Sequence, residues 1–279
     1  MPVAIITGSN TGLGFETARG LMAKGFEVVL TSRDSAKGER AVEKLRSEFP
    51  SGVCSVLSLD LARTESIKEF PTNFSKAHGQ WDVLINNAGA KVLSKYSETD
   101  SGVEYHFGVN AVGHFHLTKE LLPFRASRCR IVSVSSIVAR FAPKAMGPAG
   151  SKNSYSPGAS YAASKLSNLL FALELNKRFG TEGLLSVAAH PGFARAEPYG
   201  PKSTRFFESF LAQSAAQGAR PIIEAASRPN LTGGSYLAPK HLELWGDFAP
   251  GKIPASCTEE NQNENWKILE KLSGTELAL

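Results

Sequence analysis

Cysteine is scarce in this sequence, and the three present, Cys54, Cys129 and Cys257, are far apart and odd in number. There is no CxxC pair and no Cys/His cluster. That argues against a disulfide scaffold or a zinc site, and for reduced thiols in a cytoplasmic protein. Runs of one charge are missing as well. Lys and Arg exceed Asp and Glu by a formal +5, but they are scattered, so nucleic-acid binding is a poor fit. No apolar stretch approaches the length of a membrane span. Met1 runs straight into Pro2-Val3-Ala4-Ile5-Ile6-Thr7, with no signal peptide ahead of it. His114 and His116 are two residues apart, on different faces of a helix, and read as ordinary helical surface rather than a metal pair.

What is present is alternation. Short apolar runs at Val3–Thr7, Phe26–Thr31, Val53–Leu59, Val83–Asn86 and Arg130–Ser135 read as buried strands, followed by Leu184–Ala189 and a seventh near Ser235–Leu237. Amphipathic stretches lie between them, among them Ala36–Phe49, Ser160–Phe179, Phe206–Gln217, Gly218–Arg228 and Glu264–Leu272. This pattern predicts an α/β fold, a doubly wound Rossmann architecture with a parallel seven-stranded sheet and helices on both faces. There is no internal repeat and no linker, so the 279 residues read as a single domain. Two irregular stretches rich in Pro, Gly or Ser, near 140–160 and 193–217, are candidate substrate loops.

The segment Thr7-Gly8-Ser9-Asn10-Thr11-Gly12-Leu13-Gly14 joins the first strand to the first helix. Gly8 permits a tight turn, Gly12 lets backbone approach a phosphate, and Gly14 allows the helix to pack closely on the sheet. The helix N-terminus then offers unpaired N–H groups to a pyrophosphate. Further on, Tyr161 and Lys165 are four apart at the start of a predicted helix and share one face. A phenol is a poor base at neutral pH, and a neighbouring ammonium favours its ionised form. Tyr155 has Ala159 at its +4 position and lacks such a partner. Ser135 and Ser136 end the fifth strand, where a hydroxyl can point at a bound carbonyl.

The G-x-x-x-G-x-G spacing, Asn86-Asn87-Ala88-Gly89 after a later strand, and Tyr161-x-x-x-Lys165 after another together resemble the short-chain dehydrogenase/reductase family. The resemblance runs from Val3 to about Leu272. Asn110-Ala-Val-Gly113-His114-Phe115, Tyr161-Ala-Ala-Ser164-Lys165 and His190-Pro191-Gly192 are similar to its retinol-dehydrogenase-like and protochlorophyllide-reductase-like branch. The resemblance implies a carbonyl/alcohol oxidoreductase with transfer from the pro-S face of a nicotinamide. It selects Ser136 to polarise the carbonyl, Tyr161 to move the proton, and Lys165 to tune Tyr161 while holding the nicotinamide ribose. Asn110 would hold a relay water. Asp60 and Leu61 would lie beside the adenine, Asn87, Ala88 and Gly89 along the cofactor path, and Pro191 and Gly192 beside the nicotinamide. Ser32 stands where the family places a ribose-binding acid, and Arg33 follows it; a hydroxyl beside a guanidinium suits a 2′-phosphate and favours NADP(H), with Lys37 as a second cation.

One position departs from the pattern. Ala196 stands where the family often has a threonine bonding the carboxamide. That residue alone favours a reading of another class, a nucleotide-binding scaffold or regulator without turnover. A sugar-nucleotide epimerase would want a different glycine spacing and a larger C-terminal domain. Substrates of the branch include retinoids, steroids and lipid aldehydes, and Phe141, Met146, Phe193, Phe206, Phe207 and Phe210 are apolar candidates for such a pocket. Family members often form dimers or tetramers, so a homo-oligomer is a further expectation.

Overall fold

The computed structural model describes residues 1–90, 93–143, 146–149, 151–193 and 212–278. At its centre is β1 (Val3–Ile6), four apolar residues that are all buried. A strand covered on both faces reads as a continuous apolar run, and its flanking elements follow from that. β1 pairs in parallel with β2 (Glu27–Ser32) on one side and β4 (Trp81–Asn86) on the other. The sheet extends to β3 (Cys54–Ser58), β5 (Arg125–Val134), β6 (Leu184–Ala189), β7 (Tyr236–His241) and β8 (Trp245–Pro250), in the order 3-2-1-4-5-6-7-8. The order reverses between β1 and β4, and ligands bind outside the carboxyl ends of parallel strands at such a point.

Helices α1 (Gly12–Ala23), α2 (Ser35–Glu48) and α7 (Ala215–Ser227) cover one face through Phe15, Leu21, Val42, Leu45 and Ile222. The opposite face is covered by α3 (Thr64–His78), α5 (Gly113–Leu121), α6 (Pro157–Phe179) and α8 (Glu259–Ser273). There Phe70, Phe74, Phe115, Phe171 and Trp266 make the core. Trp266 is 1% exposed, stands edge-on to Phe115, and carries the Arg178 guanidinium 4.4 Å above its ring. Among the described residues no helix is long and apolar enough to cross a membrane.

The architecture agrees with the sequence reading, with differences at the edges. The sheet has eight strands rather than seven. β8 is antiparallel to β7 and half-exposed, and its Gly246, Asp247 and Pro250 give an edge strand no apolar signature. α6 starts three residues early because Pro157 suits the first helical turn, where its missing N–H costs nothing. The helix expected over Phe206–Gln217 lies outside the described residues as far as residue 211, and helical structure begins at Ala215, behind a Ser214/Gln217 capping box. His114 and His116 are not surface residues; they are 2% and 5% exposed. The helix that carries them is tied to the end of β1 through His114 and packs beside α3 and α8, so both of the faces they occupy are covered.

The β7–β8 loop contains a strained residue. Leu242 and Glu243 have φ of 53° and 58°, and the Leu244 N–H donates to the His241 carbonyl at 2.9 Å, the arrangement of a two-residue hairpin loop. A leucine that is 79% exposed in a left-handed conformation gains nothing from burial to offset its strain. Leu242→Asn should therefore raise stability by about 0.5–1 kcal/mol and Tm by about 1–3 °C. Thermal unfolding followed by circular dichroism checks this.

Candidate active site

The glycine loop is stitched to the chain after β4 by one side chain. The Thr7 hydroxyl oxygen accepts from the Asn87 and Ala88 N–H groups, both at 2.9 Å, and Asn87 Nδ2 donates to the Thr7 carbonyl at 2.8 Å. Gly8 has φ 61°, and a Cβ built on it would lie 3.0 Å from Ala88. A Cβ on Gly14 would lie 2.5 Å from the Gly8 carbonyl oxygen, so both must be glycine. Ser9 is consumed internally, its hydroxyl donating to the Ile6 carbonyl at 2.8 Å. Asn10 and Thr11 lead to α1, whose first residues are Gly12 and Leu13. That N-terminus has neither a side-chain cap nor an acid in its first turn. A Cβ on Gly12 would meet no atom within 4 Å. Open helix N–H groups beside unfilled space fit the pyrophosphate of a dinucleotide.

At the other end of this path, the second strand delivers three expected residues to different tasks. The Ser32 hydroxyl is turned into its own loop and donates to the Asp34 carbonyl at 2.8 Å. Lys37 pairs with Asp34 at 3.6 Å on the exposed start of α2. Arg33 does not pair with Asp34; its Nη1 donates to the Tyr105 hydroxyl at 3.1 Å and it stays exposed. The Asp60 carboxylate accepts from the Ala62 N–H at 3.0 Å, closing the turn into α3, and Leu61 is buried.

The catalytic candidates converge at the carboxyl end of β5. Ser135 serves the scaffold, its hydroxyl donating to the Lys165 carbonyl at 2.8 Å. The Ser136 hydroxyl stands close enough to the Tyr161 phenol to favour its ionised form. Lys165 Nζ lies 5.8 Å from the centre of the Tyr161 ring and donates to the Val134 carbonyl at 3.0 Å. Asn110 lies in a π-helical turn, Gly108–Val112, of the kind that recurs at functional sites. Its Oδ1 accepts from the Ala90 N–H at 2.7 Å, and its Nδ2 donates to Ser164 at 2.9 Å. A Cβ on Gly89 would lie 3.7 Å from both Asn110 Oδ1 and Lys165 Nζ, ordinary contact distances, so residue 89 faces both groups.

The electrostatics differ from the sequence expectation. Burial raises the Tyr161 phenol above its ordinary value, against the opposing hydrogen bond from Ser136. Burial also lowers Lys165 to about 8. Desolvation dominates at both groups, so the phenol is held in its protonated form at neutral pH.

Several neighbours had no motif to announce them. Glu104 is buried and accepts from the His106 and Phe107 N–H groups, both at 3.0 Å, starting the short helix α4 (Tyr105–Phe107). The His106 ring lies 2.9 Å from Glu104 Oε1 and stands edge-on to Tyr161, with centroids 6.3 Å apart. Tyr155, without a lysine partner, donates its hydroxyl to the Leu93 carbonyl at 3.1 Å and so forms part of this wall. Only the Glu-x-His spacing ahead of Asn110 could have drawn attention to it. Beyond β6, Gly192 has φ 75°, and the Pro191 carbonyl accepts from Gln213 at 2.7 Å. Met146 packs on Leu166 and Leu170, whereas Phe141 is 77% and Phe193 40% exposed. Ala196, Phe206, Phe207 and Phe210 lie outside the described residues.

His114 and His190 are both lowered to about 4, chiefly by burial, against an ordinary value of 6.5. Between those values the unfolded chain binds protons that the fold refuses, so stability falls as pH drops from 6.5 towards 4. Calorimetric Tm values across this window should decline, and His190→Gln, which cannot titrate, should flatten the decline.

Comparison with known proteins agrees with this geometry. The short chain dehydrogenase family matches residues 2–203. Retinol dehydrogenase 12 of Homo sapiens is 38% identical over 80% of this chain and 72% of its own length. Polyprenol dehydrogenase of Mus musculus is 37% identical over 84% of this chain and 75% of its own. The crystal structure of an uncharacterized protein from Mycobacterium Paratuberculosis superposes with a TM-score of 0.83 at 33% identity, covering 100% of this chain and 96% of that one. The L-sorbose reductase of Gluconobacter frateurii, solved with NADPH and L-sorbose, shares the fold at 19% identity, with a TM-score of 0.68 over 84% of this chain and 93% of its own. With the glycine loop, the Asn-Asn-Ala-Gly turn and the Ser136/Tyr161/Lys165 group at one end of a doubly wound sheet, the chain belongs to the short-chain dehydrogenase/reductase family, in its retinol-dehydrogenase-like branch.

Proposed function

We propose that this oxidoreductase interconverts an aldehyde or ketone with the corresponding alcohol using NADP(H), with Tyr161 as the general acid/base. The observation that carries the reading is the convergence of Ser136, Tyr161 and Lys165 at the carboxyl end of β5, with Lys165 Nζ 5.8 Å from the centre of the Tyr161 ring. A nicotinamide dinucleotide supplies or takes the hydride. Gly8, Gly12, Gly14 and the open N-terminus of α1 hold its pyrophosphate, and Asn87, Ala88 and Gly89 flank its path. In reduction, the Ser136 hydroxyl bonds the carbonyl oxygen and the Tyr161 phenol gives it a proton as the hydride reaches carbon. The raised phenol pKa keeps that proton available at neutral pH. Lys165, at about 8, is largely protonated there and steadies the phenolate left behind.

For the 2′-phosphate, Arg33 is the cation we assign. It is exposed, and its guanidinium donates to the Tyr105 hydroxyl rather than to a carboxylate. Lys37 is spoken for by Asp34. A long apolar alcohol or aldehyde is the substrate class we favour, supported by the names of the retinol and polyprenol dehydrogenases and by the exposed Phe141 and Phe193. The free thiols of Cys54, Cys129 and Cys257 fit a reducing, cytoplasmic setting.

Tyr161→Phe should lower kcat by about 10²–10⁴-fold while NADPH still binds, read by steady-state kinetics and cofactor fluorescence. Retained turnover would overturn the role. Arg33→Ala should raise the KM for NADPH about tenfold or more and leave that for NADH nearly unchanged. Equal effects on both cofactors would remove the case for phosphate recognition.

A further inference from the structure

The chemistry above makes no use of His114, yet this imidazole is buried and has a partner at each nitrogen. Nδ1 lies 2.8 Å from the Asn110 main-chain carbonyl oxygen. A carbonyl only accepts, so Nδ1 carries the proton. Nε2 is then an acceptor, and its partner is the Thr7 hydroxyl at 2.9 Å, nearer than the 3.2 Å that separates this hydroxyl from the Ile85 carbonyl. The lone pairs of that oxygen take the Asn87 and Ala88 N–H groups. One neutral tautomer satisfies every member of this chain of bonds. Burial, with a smaller part from the Lys165 charge, holds its pKa at about 4 and keeps it neutral across the physiological range.

The chain of bonds crosses four elements. It starts in the π turn at Asn110, passes through α5 to the end of β1, and finishes in the turn after β4. Those elements meet where the Gly89 backbone faces Asn110 and Lys165. A π turn is wider than an α turn, and its carbonyls are less constrained by the helix ladder. The His114 ring donates to the Asn110 carbonyl from within and anchors the far side of the imidazole to the glycine loop. An aliphatic side chain offers neither bond, whereas a primary amide carries a donor and an acceptor at similar spacing.

We propose that His114 is a positioning residue, whose neutral imidazole fixes the Asn110 main chain, and with it the Asn110 amide that faces Gly89 beside Lys165, and so sets the route by which the proton given up by Tyr161 is replaced. The inference rests on the reductase reading above. Its test compares wild type, His114→Leu and His114→Gln in NADPH-dependent reduction of a turned-over aldehyde, in H2O and D2O. The Leu variant should lose at least tenfold in kcat, hold its NADPH Kd within threefold, and show a larger solvent deuterium isotope effect as proton resupply becomes limiting. Gln should restore most of kcat. Leu within twofold of wild type, Gln no better than Leu, or Kd and kcat falling in parallel would each overturn the proposal. Nitrogen-15 NMR of wild-type imidazoles supplies a measurement independent of variant folding. A protonated Nδ1 without titration between pH 5 and 8 is expected; a protonated Nε2, or titration near 6.5, would overturn it. Wild type inactive on every carbonyl offered would instead sink the reductase reading, and the relay role with it.

Discussion

The parallel pairing of β1 with β4, closed at its carboxyl end by the Thr7 side chain, is the constraint from which the site follows. That pairing sits where the strand order reverses, so the chain leaving β1 turns to one side of the sheet and the chain leaving β4 to the other. A crevice between them is unavoidable. Without a lock its two lips would be separate loops. The Thr7 hydroxyl, by accepting from Asn87 and Ala88, makes them one surface. Gly8 and Gly14 are the steric counterpart of this lock, since a methyl group at either would push the lips apart.

The proposed catalytic groups are arranged against that surface by burial rather than by direct ion pairing. Lys165 is 4% exposed and directed at a main-chain carbonyl, and Tyr161 is kept protonated by its surroundings. An acid poised to donate suits reduction. The low dielectric that raises the phenol also strengthens the stabilising effect of Lys165 once the proton has left. The Glu104/His106 wall and the His114 bridge enclose the same groups from two sides, using polar side chains that are buried and hydrogen-bonded. Such networks favour one arrangement because each partial loss strands a buried polar atom.

Much of the fold was legible because it depends on local pattern. The β6 boundaries, Leu184–Ala189, coincide with an apolar run bounded by Gly183 and His190. The α6 helix follows a leucine-rich periodicity from Tyr161 onward. Edge elements were less legible. β8 is held by its hairpin to β7, and its own residues, with Gly246 and Pro250 among them, favour no strand. The histidines were misread for a related reason: periodicity places residues on faces of a helix, but does not say which faces the rest of the molecule covers.

By itself the sequence determined the alternation of strands and helices, the turn chemistry at Gly8, Gly12 and Gly14, and the identity of the Tyr161/Lys165 pair, because these rest on spacing and backbone conformation within short segments. Tertiary structure alone decided that Arg33 leans on Tyr105, that desolvation controls the phenol and the ammonium, and that His114 joins Asn110 to Thr7. Each of these depends on residues tens of positions apart sharing a low-dielectric interior. Burial and long-range partnership are properties of the packed chain, and no local window of residues contains them.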